Sequence, residues 1–236
     1  MMTTNERVVQ NRKVGGFDRV VLSVHNVMNQ IEITQGEQEA LTIEAGAEIL
    51  PKIRTTLRGR ELAIRLDGSL LDKLGFALAT SLTRPVVRYQ LRVKNLAHLE
   101  LTGLVRASAA ELRAGNLSLK LKGAGEIAVS SLEARQVAAE LDGAGRIELG
   151  GQVVGQDVTI QGPGLYEALD LRSRTARVSL KGLGRARVWA VDELGVKVRG
   201  LGRVEVRGTP AIIEEDISPR APRPRFGPHQ SLWRAR

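Results

Sequence analysis

The stretches Leu121–Val129 (LKGAGEIAV), Leu141–Leu149 (LDGAGRIEL), Ile160–Ala168 (IQGPGLYEA), Leu180–Val188 (LKGLGRARV) and Val198–Val206 (VRGLGRVEV) are five copies of one pattern. With a degenerate copy at Gly103, the first glycines are Gly103, Gly123, Gly143, Gly162, Gly182 and Gly200, separated by 20, 20, 19, 20 and 18 residues. A period near 20 marks a repeat architecture in which each unit rests on its neighbours. Aligned on the first glycine, the copies make apolar columns. Two residues before it stand Leu101, Leu121, Leu141, Ile160, Leu180 and Val198; four before it, Leu119, Ala139, Val158, Val178 and Val196. Four after it come Ile127, Ile147, Tyr166, Ala186 and Val204, and six after it Val129, Leu149, Ala168, Val188 and Val206. A weaker column nine after it holds Leu112, Leu132, Gln152, Leu171 and Val191. The intervening positions are mostly charged, as half-buried strands require.

A unit of this length is too short for a parallel crossover containing a helix, which needs about 30 residues. The sequence therefore predicts an all-β fold, a parallel β-helix (single-stranded β-solenoid) with coils of about 20 residues. Its corners are expected at Gly103, Gly123, Gly125, Gly143, Gly145, Gly162, Gly164, Gly182, Gly184, Gly200 and Gly202, because a tight bend needs positive φ or close backbone approach. The residue between the paired glycines changes from Ala124 and Ala144 through Pro163 to Leu183 and Leu201, so the contact made along that line changes too. A phosphate-binding reading of the glycines fails. GxGxxG is not completed at Gly123, Gly143 or Gly162, no amphipathic helix follows, and no GxxxxGK[ST] occurs.

Upstream, Val20, Leu22 and Val24, then Ile31 and Ile33, Leu41 and Ile43, Ile53 and Leu57, and Leu62, Ile64 and Leu66 alternate with polar residues. These are short strands expected to cap or extend the repeats, since a stack of strands needs its open ends covered. The expected organisation is a flexible lead-in over 1–16 and an N-terminal β region over 17–82 with an insertion at 68–82. The repeat region follows over 83–217, and a basic, Pro-rich disordered tail over 218–236. Ile212 and Ile213 are the expected plug at the far end.

Composition narrows the chemistry. The 236 residues include no cysteine and three widely spaced histidines, His25, His98 and His229. Disulfides and thiolate metal sites are excluded, and no cofactor or metal centre is expected. Aromatics are only 3%, poor material for stacking sugars or bases. The net charge is +9, and the arginines of the 218–236 tail supply a large share of it. That tail is the expected route to nucleic acid or an anionic membrane. No run of 18 apolar residues suggests a spanning helix. The first residues, MMTTNERVVQ, lack the apolar core of a signal peptide, which predicts a cytoplasmic chain.

Gly16–Phe17–Asp18 at the opening, Gln35–Gly36 at a strand end, and the GAG corners Gly123–Gly125 and Gly143–Gly145 together resemble a known bacterial family, the putative auto-transporter adhesin head GIN domain. The resemblance covers roughly residues 12–215. It implies a β-helix-like architecture, an extracellular or envelope setting, usually behind a leader, and no established catalytic residues.

An enzyme alternative rests on Glu148, Glu167, Arg187 and Glu205, each five residues after a first glycine. Stacked one copy apart, Glu148 and Glu167 would be an acid–base pair in a carbohydrate-active β-helix. The competing reading is an outer face whose acids are offset by Arg146, Arg185 and Arg187. The sequence favours a noncatalytic structural or interaction module that self-associates or binds another protein. A glycan ligand, and a scaffold acting through the 219–236 tail, are the alternatives.

Overall fold

A computed structural model of the chain describes residues 7–66, 85–219 and 221–227. Thirteen strands follow in order: β1 (Arg7–Arg12), β2 (Arg19–Gln35), β3 (Ala40–Gly46), β4 (Ile53–Arg58), β5 (Glu61–Leu66), β6 (Val86–Val93) and β7 (His98–Gly143). They continue with β8 (Arg146–Gln161), β9 (Leu165–Gly182), β10 (Arg185–Gly200), β11 (Arg203–Arg207), β12 (Ala211–Ile217) and β13 (Arg225–Phe226).

The copies stack in parallel and in register. Ile147 pairs with Ile127 on one side and Tyr166 on the other, and Val158 pairs with Ala139 and Val178. The same offset carries β9 to β10 and β10 to β11. All four main apolar columns are buried, and a single hydrophobic cluster runs from Phe17 to Val206. Alternation put these side chains on one face, and parallel register stacked them into ladders.

The expected parallel β-helix, a single-stranded β-solenoid with coils of about 20 residues, is not what forms. One open sheet of mixed direction runs β1-β3-β6-β2-β7-β8-β9-β10-β11-β13, with β1 at one edge and β13 at the other. β1 and β6 both pair antiparallel with β3, and β4 pairs antiparallel with β5. Such pairs have no place in a single-stranded winding. Within the repeats the strands are long and continuous, β7 reaching 46 residues, and are interrupted by register shifts at Val129/Leu132, Glu148/Gly150 and Val188/Trp189. Bulges of this kind bend a strand without ending it. They also change the count. Leu132 faces Gly151, whose other partner is Leu171, while Gln152 is exposed, so the ninth-position column runs through Gly151.

The N-terminal strands are not a separate cap. β2 lies between β6 and β7 and pairs with both in parallel, so residues 17–66 share one sheet with the repeats. Part of the expected lead-in is strand β1, paired along its length with β3. Part of the expected tail also folds back, Arg225 and Phe226 pairing with Glu205 and Val206. The 68–82 insertion, Arg220, His229, Trp233, Arg234 and Arg236 lie outside the described residues. At the far end Ile212 packs on the core, whereas Ile213 falls at a register break and is half exposed.

Candidate functional site

The outer face is built by the same period as the core. Arg106 pairs with Glu126, Arg113 with Glu133, Lys120 with Glu140, and Arg174 with Asp192, each across one copy. A residue and its stacked partner are about 20 positions apart, so opposite charges at that spacing meet on neighbouring strands, the sheet's cross-strand pairing. Exposed pairs of this kind each contribute about 0–1 kcal/mol. Their effect here is to consume the charges.

The proposed acid–base column lies on this face. Glu148 and Glu167 are register partners on β8 and β9, as the stacking requires. Each has an arginine. Arg146 Nη2 lies 2.9 Å from Glu148 Oε2. Arg187 Nη1 donates to Glu167 Oε2 at 3.1 Å, and its Nε lies 2.9 Å from Glu205 Oε2. The two carboxylates raise the basicity of Arg187, Glu167 contributing most. A carboxylate engaged by a guanidinium must break that contact before it can serve a substrate. Beside this column an open groove of about 1040 Å³ is lined by Leu169, Asp170, Arg207 and Phe226 as well as Glu167 and Arg187. The guanidinium of Arg207 lies 4.1 Å from the centroid of the Trp189 ring, a cation–π contact that helps to fix this lining side chain.

The glycines divide their labour between backbone and packing. The first of each pair has positive φ, for example +120° at Gly143, where an added Cβ would stand 2.6 Å from the carbonyl oxygen of Gly123 on the previous copy. The second leaves room for the apolar ladder: a Cβ on Gly164 would overlap Leu141 Cδ2, and one on Gly202 would overlap Leu180 Cδ2. Gly103, Gly123, Gly162, Gly182 and Gly200 share the positive φ; Gly125, Gly145 and Gly184 share the close approach.

Two polar clusters escaped the sequence reading. His98, for which no partner was apparent, has its Nδ1 3.1 Å from Ser118 Oγ and its Nε2 3.7 Å from Glu100. Ser118 stands one period after His98, which is the signal that could have found it. Lys122 Nζ holds Glu100 at 2.7 Å and depresses its pKa. Burial first, and Arg19 second, lower the pKa of His98 below its ordinary 6.5. The serine, histidine and glutamate thus gather without making a catalytic relay, because the acid is committed to Lys122. The histidine has a measurable consequence. The unfolded chain takes up a proton as pH falls through about 6.5 while the folded ring resists it, so the ring's contribution is complete above that pH and declines below it. Urea unfolding between pH 7.5 and 5 is expected to show this loss, with a slope no steeper than about 1.4 kcal/mol per pH unit, flattened in His98→Gln.

The second cluster is fully buried. Tyr166 Oη donates to Gln156 Oε1 at 3.0 Å, and Gln156 Nε2 donates to Ser173 Oγ at 2.8 Å. Ser173 Oγ in turn donates to the Trp189 carbonyl at 2.6 Å. His25 is exposed, and among the described residues no group of His, Asp and Glu side chains could hold a metal ion.

A family model described as "Putative auto-transporter adhesin, head GIN domain" matches residues 17–210. No curated protein matches the chain. Among solved structures, the chain is similar to a putative adhesin from Bacteroides fragilis, at 19% identity and TM-score 0.77, covering 94% of this chain and 96% of that one. It is similar to a putative lipid binding protein from Parabacteroides distasonis, at 18% identity and TM-score 0.69, covering 94% and 97%. A putative adhesin from Parabacteroides merdae aligns at 14% identity and TM-score 0.67 over the same shares.

Proposed function

We propose that this chain, which belongs to the putative auto-transporter adhesin head GIN domain family, is a noncatalytic adhesin-like interaction module working at the cell envelope. The observation that carries this reading is the Arg187 bridge. By holding Glu167 and Glu205 together it turns the strongest acid cluster of the outer face into a structural clamp. What the face offers instead is a rigid, wide surface of side-chain ladders with an open groove at its C-terminal end. Such a surface suits recognition of another macromolecule, a protein or a glycan.

The test pairs binding with turnover. The full chain and Glu148→Gln/Glu167→Gln are incubated with arrayed bacterial and host polysaccharides and matrix proteins, and released reducing ends are measured alongside retention. Retention without release, in both forms, is the expected result. Release of sugar by the parent chain that the double substitution abolishes would restore the enzyme reading. Self-association belongs to the same proposal, because the outer edge of β1 pairs with no other described strand. Light scattering across protein concentration reads it: a defined dimer or polymer supports it, and a monomer throughout removes it.

A further inference from the structure

From the GLG corners of the last two full copies we infer a membrane-docking edge for anionic lipid, distinct from the groove. Leu183 and Leu201 are the most conspicuous apolar side chains on these turns, 67% and 56% exposed. They are neighbours: Gly182 pairs with Gly200, and the Leu201 amide donates to the Gly182 carbonyl at 3.0 Å. Exposed Pro163 continues the column on the copy before. Each leucine is bracketed by exposed cations, Lys181 and Arg185 around one, Arg199 and Arg203 around the other. Register places Lys181 beside Arg199 and Arg185 near Arg203. Arg199 is paired with Asp216, while Lys181, Arg185 and Arg203 have no carboxylate in ion-pairing range among the described residues.

This departs from the cross-copy pairs elsewhere on the outer face, such as Arg106 with Glu126 and Lys120 with Glu140. The first two corners follow the ordinary pattern, Ala124 between Lys122 and Glu126, and Ala144 between Asp142 and Arg146. Only toward the C-terminal end does the tip become leucine while its flanks become wholly basic. Apolar tips ringed by Lys and Arg fit the boundary between headgroups and acyl chains, where the leucines insert and the cations meet anionic lipid. A second copy of the chain is a poor occupant, because two such edges face to face would juxtapose like charges. Nucleic acid would use the cations but gives the leucines no apolar layer to enter.

Sedimentation of the full chain with phosphatidylcholine vesicles containing phosphatidylserine, against phosphatidylcholine alone, tests the assignment. The expected result is binding to the anionic vesicles only. Leu183→Ser/Leu201→Ser keeps every cation and weakens binding by at least about tenfold. Lys181→Glu/Arg203→Glu weakens it by at least about twentyfold, each cation near an anionic leaflet being worth about fivefold. Melting curves check that these exposed substitutions leave the fold intact. Absence of vesicle binding would overturn the inference. So would binding unchanged in Leu183→Ser/Leu201→Ser, which would assign the attraction to net charge, or an equal loss of affinity for a DNA oligonucleotide in that variant.

Discussion

Gly143→Ala is expected to lower the unfolding free energy by roughly 4 kcal/mol, a large loss for the addition of one methyl group. Two costs combine. The residue holds φ +120°, which an L side chain rarely adopts. Its new Cβ would also stand 2.6 Å from the Gly123 carbonyl oxygen, a backbone atom that no rotamer change can move. Relief by shifting the strand would disturb its pairing with the next copy, where Leu141 and Asp142 stand in register with Ile160 and Gln161. The glycines form a column in backbone contact, so displacing one copy disturbs the next. Gly145→Ala offers a graded comparison. There the nearest atom, at 2.6 Å, is Leu121 Cδ2, the end of a side chain that can partly give way, and the expected loss is about 1–3 kcal/mol. Gly115 has open space around its Cβ position and no positive φ, and Gly115→Ala should be neutral or stabilising by about 0.5 kcal/mol. Urea denaturation of the three variants checks the order. Equal losses at Gly143 and Gly115 would mean that the column is not what fixes the stacking.

The same glycines mark how far the sequence could be read. A repeated Gly-x-Gly with alternating flanks determines which residues stack, because parallel register between copies follows from the period, and the ladders through Leu121 and Ile127 were legible for that reason. It does not determine whether the stack closes. Curvature depends on where bulges fall, and nothing in the local pattern of SSLEARQV or LGGQVVGQ distinguishes a bulged strand from a corner. Counting nine residues from Gly143 therefore reaches Gln152, when the shift at Glu148/Gly150 places Gly151 in the ladder. Strand direction was hidden as well. Alternation in LTIEA is the same for either direction, and the long connection from β3 to β6 permits either, so their antiparallel pairing left no mark in the sequence. At the outer face, stacking of Glu148 on Glu167 was readable from the period. The outcome turned on Arg187, one copy further along, whose reach to Glu167 and Glu205 depends on side-chain geometry that spacing leaves open.

The breaks in register carry their own cost, and this gives the second large effect. Between Val24 and Asn29 the pairing of β2 with β7 is interrupted. Asn29 is fully buried at that break, and its Nδ2 donates to the carbonyls of Val24, Val27 and Leu104 at 3.2–3.3 Å. Its Oδ1 accepts from Tyr89 Oη at 3.3 Å. One amide thus satisfies polar atoms that the broken ladder cannot pair. Another break, at Val188/Trp189, is treated alike, with Gln156 and Ser173 reaching the Trp189 carbonyl and Tyr166 completing the set. Asn29→Leu keeps the volume and removes every one of the first set of bonds. Burial already pushes the Tyr89 hydroxyl far above its ordinary pKa, so it cannot relieve the loss by ionising. Each buried polar group left unpaired costs about 1–3 kcal/mol, and some relaxation will share carbonyls with neighbours, so roughly 3–5 kcal/mol is expected overall. Tyr89→Phe separates the contributions: it removes one donor and should cost only about 1–2 kcal/mol. The measurement is urea unfolding with amide hydrogen exchange, which should show Asn29→Leu opening the segment around Val24–Val27 first. If Asn29→Leu proved as stable as the parent, the buried amide would not be what compensates the break, and the bulge would have to be held by packing of Val24 and Val27 alone.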